Sequence, residues 1–130
     1  MAQEYTHFIV IDDDPINNLL CSKRIEKNVQ DAIVITFTDA EKGLDYLKSS
    51  FSKPNVGKGI LFLDINMPIT SGWEFIQQFE KVDTVIKNQI LVYILSSSIN
   101  QNDKLKAKSY PDIIDYIEKP LSVETLKMLL

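Results

Sequence analysis

Apolar residues in this chain come in short runs rich in Ile, Val and Phe. Between the runs lie longer segments in which apolar positions recur every three or four residues. The runs are HFIVI (7–11), AIVITF (32–37), GILFL (59–63), ILVYIL (90–95) and IIDYI (113–117). Their length, β-branched content and polar punctuation predict strands rather than pieces of buried helix. Four of the five are almost wholly apolar instead of alternating, the pattern of a parallel sheet covered on both faces.

The intervening segments carry helix-start signals. Asp14 before Pro15 reads as an N-cap and a first helical residue, opening a helix to about Asn28. In TDAE (38–41), Thr38 and Glu41 have the spacing of a capping box, and Ala40, Leu44 and Leu47 then share a face. SGWE (71–74) repeats the device with Ser71 and Glu74, ahead of Phe75, Ile76 and Phe79. Asn100 is positioned to cap a short polar helix to about Ser109. Ser122 opens a last helix in which Leu126, Leu129 and Leu130 recur on one side. The order is β-α five times over, which implies parallel strands, right-handed crossovers and helices on both faces. SSFSKPNVGKG (49–59) reads as a surface loop. With no internal repeat or low-complexity segment, a single domain over 1–130 is expected.

Composition narrows the class. At 130 residues, 45% hydrophobic and 25% charged, the chain has the make-up of an ordinary soluble globular domain. A formal charge of −4 argues against unspecific binding to a phosphate backbone. Cys21 is the only cysteine, so no internal disulfide can form; four residues before Ile25, it reads as core packing. No apolar stretch approaches a membrane span, and the N-terminus lacks a basic region followed by a long apolar run. A cytoplasmic protein is the expectation.

Chemistry concentrates at the strand ends. The first strand runs into Asp12, Asp13 and Asp14, the third into Asp64 and then INMP, the fourth into Ser96, Ser97 and Ser98, the fifth into Lys119 and Pro120. Adjacent carboxylates repel and resist leaving water, so the three aspartates are either surface decoration or neighbours of a cation. Ligands of open parallel sheets bind beyond the carboxyl ends of the strands, where strand order reverses. Carboxylates from two strands, with loop carbonyls, suit a hard cation such as Mg²⁺. A carboxylate beside that cation can attack a phosphoryl group and form an aspartyl phosphate. Positioning and electrostatics then supply most of the catalysis. The metal takes one phosphoryl oxygen, the Lys119 ammonium another, and the Ser96 hydroxyl with loop N–H groups a third.

VIDDDP, LFLDINMPITSG, YILSS and YIEKP closely resemble the receiver (CheY-like) domain of two-component response regulators. The spacings among Asp13, Asp64, Ser96 and Lys119 agree as well, and the match covers essentially the whole chain. The resemblance implies a flavodoxin-like (βα)5 α/β fold, a doubly wound sheet of five parallel strands in the order 2-1-3-4-5. It implies that Asp64 is the phosphoacceptor, charged by the phosphohistidine of a sensor histidine kinase or a phosphotransfer protein. Asp13 matches the direct ligand of Mg²⁺ (or Mn²⁺), Asp12 its water-linked neighbour, and the backbone carbonyl of Asn66 the third protein ligand. Ser96 matches the switch hydroxyl, Lys119 the phosphate-pairing lysine, and Tyr116 the aromatic that rotates inward when that hydroxyl moves. The Lys119–Pro120 bond is typically cis in this family, and Asn66 and Ser98 occupy positions that tune phosphoryl lifetime. Such a domain is not a conventional enzyme, although it catalyses its own phosphorylation and slow autodephosphorylation.

Its output would run through the fourth helix, fifth strand and fifth helix to a partner protein, as a monomer or a phosphorylation-linked dimer. No DNA-binding segment follows the last helix within the 130 residues, so output is expected through protein contact and not directly through nucleic acid; with no long apolar stretch, a membrane is not an expected partner either. The departures are small: Ser rather than Thr at 96, Ser97 where a small residue such as Ala is usual, and a last helix about a turn short.

Plainer readings exist for single residues. Asp14 is an N-cap with no metal role. Tyr116 and Trp73 have packing roles open to them, and Met67 and Pro68 shape their loop. His7, at the head of the first apolar run, reads as neither a catalytic base nor a metal ligand. Other functions fit less well. A haloacid-dehalogenase-type phosphatase would use Asp12 and Asp14 as an Asp-x-Asp pair, but Pro15 fits a helix start better. A phosphorylation-independent, receiver-like binding module would not need the full set of Asp13, Asp64, Ser96 and Lys119. A nucleotide-binding flavodoxin-type protein lacks its Gly-rich loop after the first strand.

Overall fold

In the computed structural model, which describes residues 5–54, 57–67 and 70–130, the apolar runs form one five-stranded sheet. The strands are β1 (Tyr5–Ile11), β2 (Ile33–Phe37), β3 (Lys58–Leu63), β4 (Ile90–Ser96) and β5 (Ile113–Glu118). The helices are α1 (Pro15–Asn28), α2 (Ala40–Ser50), α3 (Gly72–Phe79), α4 (Thr84–Lys87), α5 (Gln101–Lys108) and α6 (Val123–Leu129). Strand order is β2-β1-β3-β4-β5, and every pairing is parallel. The chain moves outward from β1 to β2 and then returns across β1 to β3. The carboxyl ends of β1 and β3 therefore flank the point where the order reverses.

Alternate residues of the central strands β1, β3 and β4 supply two cores. Ile9, Ile11, Leu61, Leu63, Val92 and Ile94 pack with Leu44 and Leu47 of α2 and with Phe75, Ile76 and Phe79 of α3. Phe8, Val10, Ile60, Phe62 and Leu95 face the other way, toward Cys21 and Ile25 of α1 and Leu126 of α6. Burial, reinforced by the nearby charge of Asp12, pushes the Cys21 thiol up to about 11, so it packs as a neutral group.

The caps explain where the helices begin. Asp14 accepts from Ile16 N with Pro15 in the first turn, Asn100 accepts from Asn102 N, and Ser122 accepts from Thr125 N. Ser71 and Glu74 form a complete capping box. At α2 the expectation fails by one residue. Asp39, not Thr38, is the N-cap, and its carboxylate accepts from Glu41 N and Lys42 N. A carboxylate is the stronger acceptor next to a helix N-terminus.

Three other differences have physical reasons. The expected loop 49–59 begins late, because α2 continues to Ser50 and Phe51 is buried against the first core. Leu130 is exposed, although Leu126 is fully buried. The four residues of α4 are too few to show helical periodicity in sequence, so the fourth and fifth expected helices are α5 and α6. Pro68, expected to shape the loop after Asp64, lies outside the described residues.

Gly72 positions α3 against the end of β3. A Cβ there would lie 2.5 Å from the Asp64 carbonyl oxygen and 2.6 Å from Ile65 Cα, both backbone atoms that cannot step aside. Gly72→Ala is expected to destabilise the fold by about 2–3 kcal/mol through overpacking. That corresponds to a fall of about 10 °C in thermal midpoint. An unchanged midpoint would show that the two loops separate freely.

Candidate functional site

The strand ladders continue one residue past the strands, into the residues that carry the chemistry. Asp12 N donates to Phe37 O (3.0 Å), Asp64 N to Ile11 O (2.9 Å) and Lys119 N to Ser96 O (2.9 Å). The rigid sheet, rather than a loose loop, thus fixes the backbone of Asp12, Asp64 and Lys119. Ser96 ends β4 opposite Glu118 of β5 and is fully buried.

The three adjacent aspartates are physically different. Asp12 is 2% exposed and its carboxylate is held at both oxygens: Oδ1 accepts from Asp14 N (2.9 Å), and Oδ2 from Asn17 Nδ2 (2.7 Å) and Lys119 Nζ (2.6 Å). Asp14 faces solvent and caps α1. Asp13 also faces solvent, beside a cleft of about 290 Å³ bounded by Thr38, Asp39, Glu41, Met67 and Thr70.

Across the rim, Asp64 is buried, with Oδ1 accepting from Asn66 N (3.2 Å) and Oδ2 3.6 Å from Lys119 Nζ. Carboxylate oxygens of Asp12, Asp13 and Asp64 all lie within 4.8 Å of one another. Three hard oxygen donors at that spacing fit Mg²⁺ or Mn²⁺, and the exposed Asp13 leaves a way in from solvent. Lys119 is the cation that bridges the two buried acids. Its ammonium is pulled down by burial, but the Asp12 hydrogen bond and the charges of Asp64 and Asp12 outweigh this and raise it. It is therefore fully charged at neutral pH.

Burial pushes the Asp64 carboxyl up. The Asn66 N–H works against the rise, the Asp12 charge adds to it and Lys119 opposes it. The folded protein consequently holds the Asp64 proton more tightly than the unfolded chain, where the ordinary value is 3.8. The resulting stability is present below that value and is lost as pH rises through the higher folded one. Asp64→Asn is thus expected to raise the thermal midpoint at pH 7 in the presence of a chelator. The rise should be about 3–5 °C per kcal/mol relieved. Repeating the melts at descending pH should shrink the gain toward zero as wild-type Asp64 protonates. A gain that stays constant with pH would point to a different cause.

The switch-side residues are linked by hydrogen bonds. Ser98 N donates to Ser96 Oγ (3.1 Å), Ser98 Oγ to Asp103 Oδ2 (2.7 Å) and Tyr116 OH to Ser98 O (2.8 Å). Tyr116 is half-buried, with its hydroxyl tied to the loop between β4 and α5. Asn66 is exposed next to Asp64. The Lys119–Pro120 bond is cis. The structure therefore brings Asp12, Asp13, Asp64, Asn66 and Lys119 to one rim, with Ser96, Ser98 and Tyr116 along its β4–β5 side. Trp73 covers the first core and stacks on Tyr110 (5.9 Å), and His7 lies edge-on to Phe51.

Sequence reasoning missed Asn17, Asn18 and Asp103, which bind Asp12 and Ser98. Polar residues on a surface-reading helix gave no signal, except that Asn18 sits one turn after Asp14 on the face that carries Cys21 and Ile25.

A five-stranded doubly wound sheet with acids at its switch point and a lysine at the end of β5 defines an α/β receiver-type domain. The model of the response regulator receiver domain matches residues 8–130, so the chain belongs to that family. Solved structures agree. A two-component response regulator from Cytophaga hutchinsonii is 29% identical with a TM-score of 0.86, over 98% of this chain and 95% of that one. A response regulator receiver protein from Dyadobacter fermentans is 27% identical with a TM-score of 0.85, over 95% and 94%. Vibrio cholerae chemotaxis protein CheY4, 18% identical with a TM-score of 0.76 over 96% and 95%, shares the fold. A search of curated proteins gives no match.

Proposed function

We propose that this receiver domain accepts a phosphoryl group on Asp64 from the phosphohistidine of a sensor histidine kinase or phosphotransfer protein. The observation that carries the reading is the convergence of Asp12, Asp13 and Asp64 within 4.8 Å, with Lys119 between the two buried acids. Bound Mg²⁺ would supply charge neutralisation for the acids and the incoming phosphate oxygens, held by Asp13, Asp64, the Asn66 carbonyl and, through water, Asp12. Asp64 provides the attacking carboxylate oxygen. An O–P bond forms, the P–N bond to the donor histidine breaks, and the electron pair leaves with the imidazole. Lys119 needs only to move its Nζ from Asp12 to a phosphoryl oxygen, an exchange of one charge-assisted bond for another.

Ser96 Oγ would take a further phosphoryl oxygen. That movement breaks its bond from Ser98 N, and Ser98 also anchors Tyr116 and Asp103. The phosphoryl state is thereby read on α5, β5 and α6, where Leu105, Ile114 and Met128 are exposed for a partner protein or a second copy. The test is intact-mass measurement after incubation with Mg²⁺ and a small acyl phosphate or phosphoramidate. Wild type should gain one phosphoryl group and Asp64→Asn none. No gain in wild type, or an equal gain in the variant, would refute the chemistry.

A further inference from the structure

We infer that Asn18 is a positioning residue for the metal-binding acids, acting through the backbone of Asp12. Asn18 is 4% exposed, and its Nδ2 donates both to Asp12 O (3.0 Å) and to Phe37 O (3.3 Å). These carbonyls stand at the carboxyl ends of β1 and β2, and Asp12 N also donates to Phe37 O. One amide therefore ties two strand ends to the first turn of α1, where Asn18 N is itself bonded to Asp14 O (3.1 Å). The peptide joining Asp12 to Asp13 is held on its carbonyl side by Asn18 alone among the side chains of the described residues. Its orientation sets where the exposed Asp13 carboxylate points.

The cost of this arrangement shows its purpose. Asn18 Oδ1 is buried with no hydrogen-bond partner among the described residues. An unpartnered buried polar atom destabilises, and an apolar side chain of the same shape would remove it. An amide is warranted by what its two N–H groups hold in place.

This inference rests on the metal-dependent reading above. Its test is calorimetric titration of Mg²⁺ into wild type and Asn18→Leu, with thermal melts of both in chelator. Asn18→Leu should stay folded but melt somewhat lower, because losing the orphaned oxygen only partly offsets leaving the Asp12 carbonyl without its donor. Its Mg²⁺ dissociation constant should rise about tenfold, a cost of about 1.4 kcal/mol. At saturating Mg²⁺, acyl phosphate should still label it. Asn18→Ala gives the same reading if the leucine variant does not fold. Affinity within twofold of wild type in a folded variant would overturn the positioning role while leaving the proposed function intact. Absence of Mg²⁺ binding by wild type would instead overturn the proposed function.

Discussion

Lys119→Met is expected to destabilise the protein in chelator by about 3 kcal/mol, the lower end of the cost of stripping one partner from a buried ion pair. The lower end applies because Lys119 is 18% exposed while Asp12 and Asp64 are 2% and 6% exposed at the side chain. Methionine keeps the aliphatic stem, so the loss reports charge rather than packing. The thermal midpoint should fall by about 10 °C. Two controls identify the cause. Adding Asp12→Asn to Lys119→Met should recover most of the loss, because the second substitution removes one of the two acids left facing each other. Lowering the pH should also help. Without the ammonium, the Asp64 carboxyl moves further up, and the stability carried by that raised carboxyl returns as pH falls toward the ordinary 3.8. A loss that persists in the double variant and at low pH would mean Lys119 supports the fold by packing. In the phosphorylation assay, Lys119→Met should still accept the group on Asp64 but fail to transmit it to α5 and β5, read as amide shifts that no longer change on phosphorylation.

How far the chain disclosed this site depends on the range of the interactions. Runs such as ILVYIL declare strands because burial on both faces leaves no room for polar residues, and Asp14 with Pro15 declares a helix start within two residues. The strand-end residues were equally legible, since parallel β-α order alone places Asp13, Asp64, Ser96 and Lys119 on one rim. Competition among equals was not. Thr38 and Asp39 are both competent caps, and only the backbone at Asp39 decides which carboxylate meets Glu41 N and Lys42 N. Long-range pairing was least legible. Nothing local indicates that Lys119 rests on Asp12 at 2.6 Å rather than on Asp64, or that Asn18 reaches Phe37. Those contacts depend on the exact height of strand ends far apart in sequence. The same holds for Ser98, whose hydroxyl meets Asp103 only because α5 begins where Asn100 caps it.

Mg²⁺ should stabilise wild type strongly, and Asp13→Asn should remove most of that effect. At a concentration 100 times its dissociation constant, a ligand that binds only the folded state contributes about 2.7 kcal/mol, a rise of about 10 °C in midpoint. Asp13 is the acid to alter because it faces solvent, so its replacement should leave stability in chelator within about 0.5 kcal/mol of wild type. Asp12→Asn would disturb two hydrogen bonds and an ion pair at once and give no such separation. Sodium chloride at matched ionic strength distinguishes binding from screening: it weakens repulsion among the acids without bridging them. An equal rise with sodium would refute a metal site, and an undiminished Mg²⁺ rise in Asp13→Asn would place the metal elsewhere. The pH dependence supplies an independent check. Burial raises the Asp64 carboxyl, so the cation must increasingly displace a proton there as pH falls, and the Mg²⁺-induced rise should shrink with it. In Asp64→Asn that competition is gone, and any residual Mg²⁺ shift should be weaker but flatter with pH.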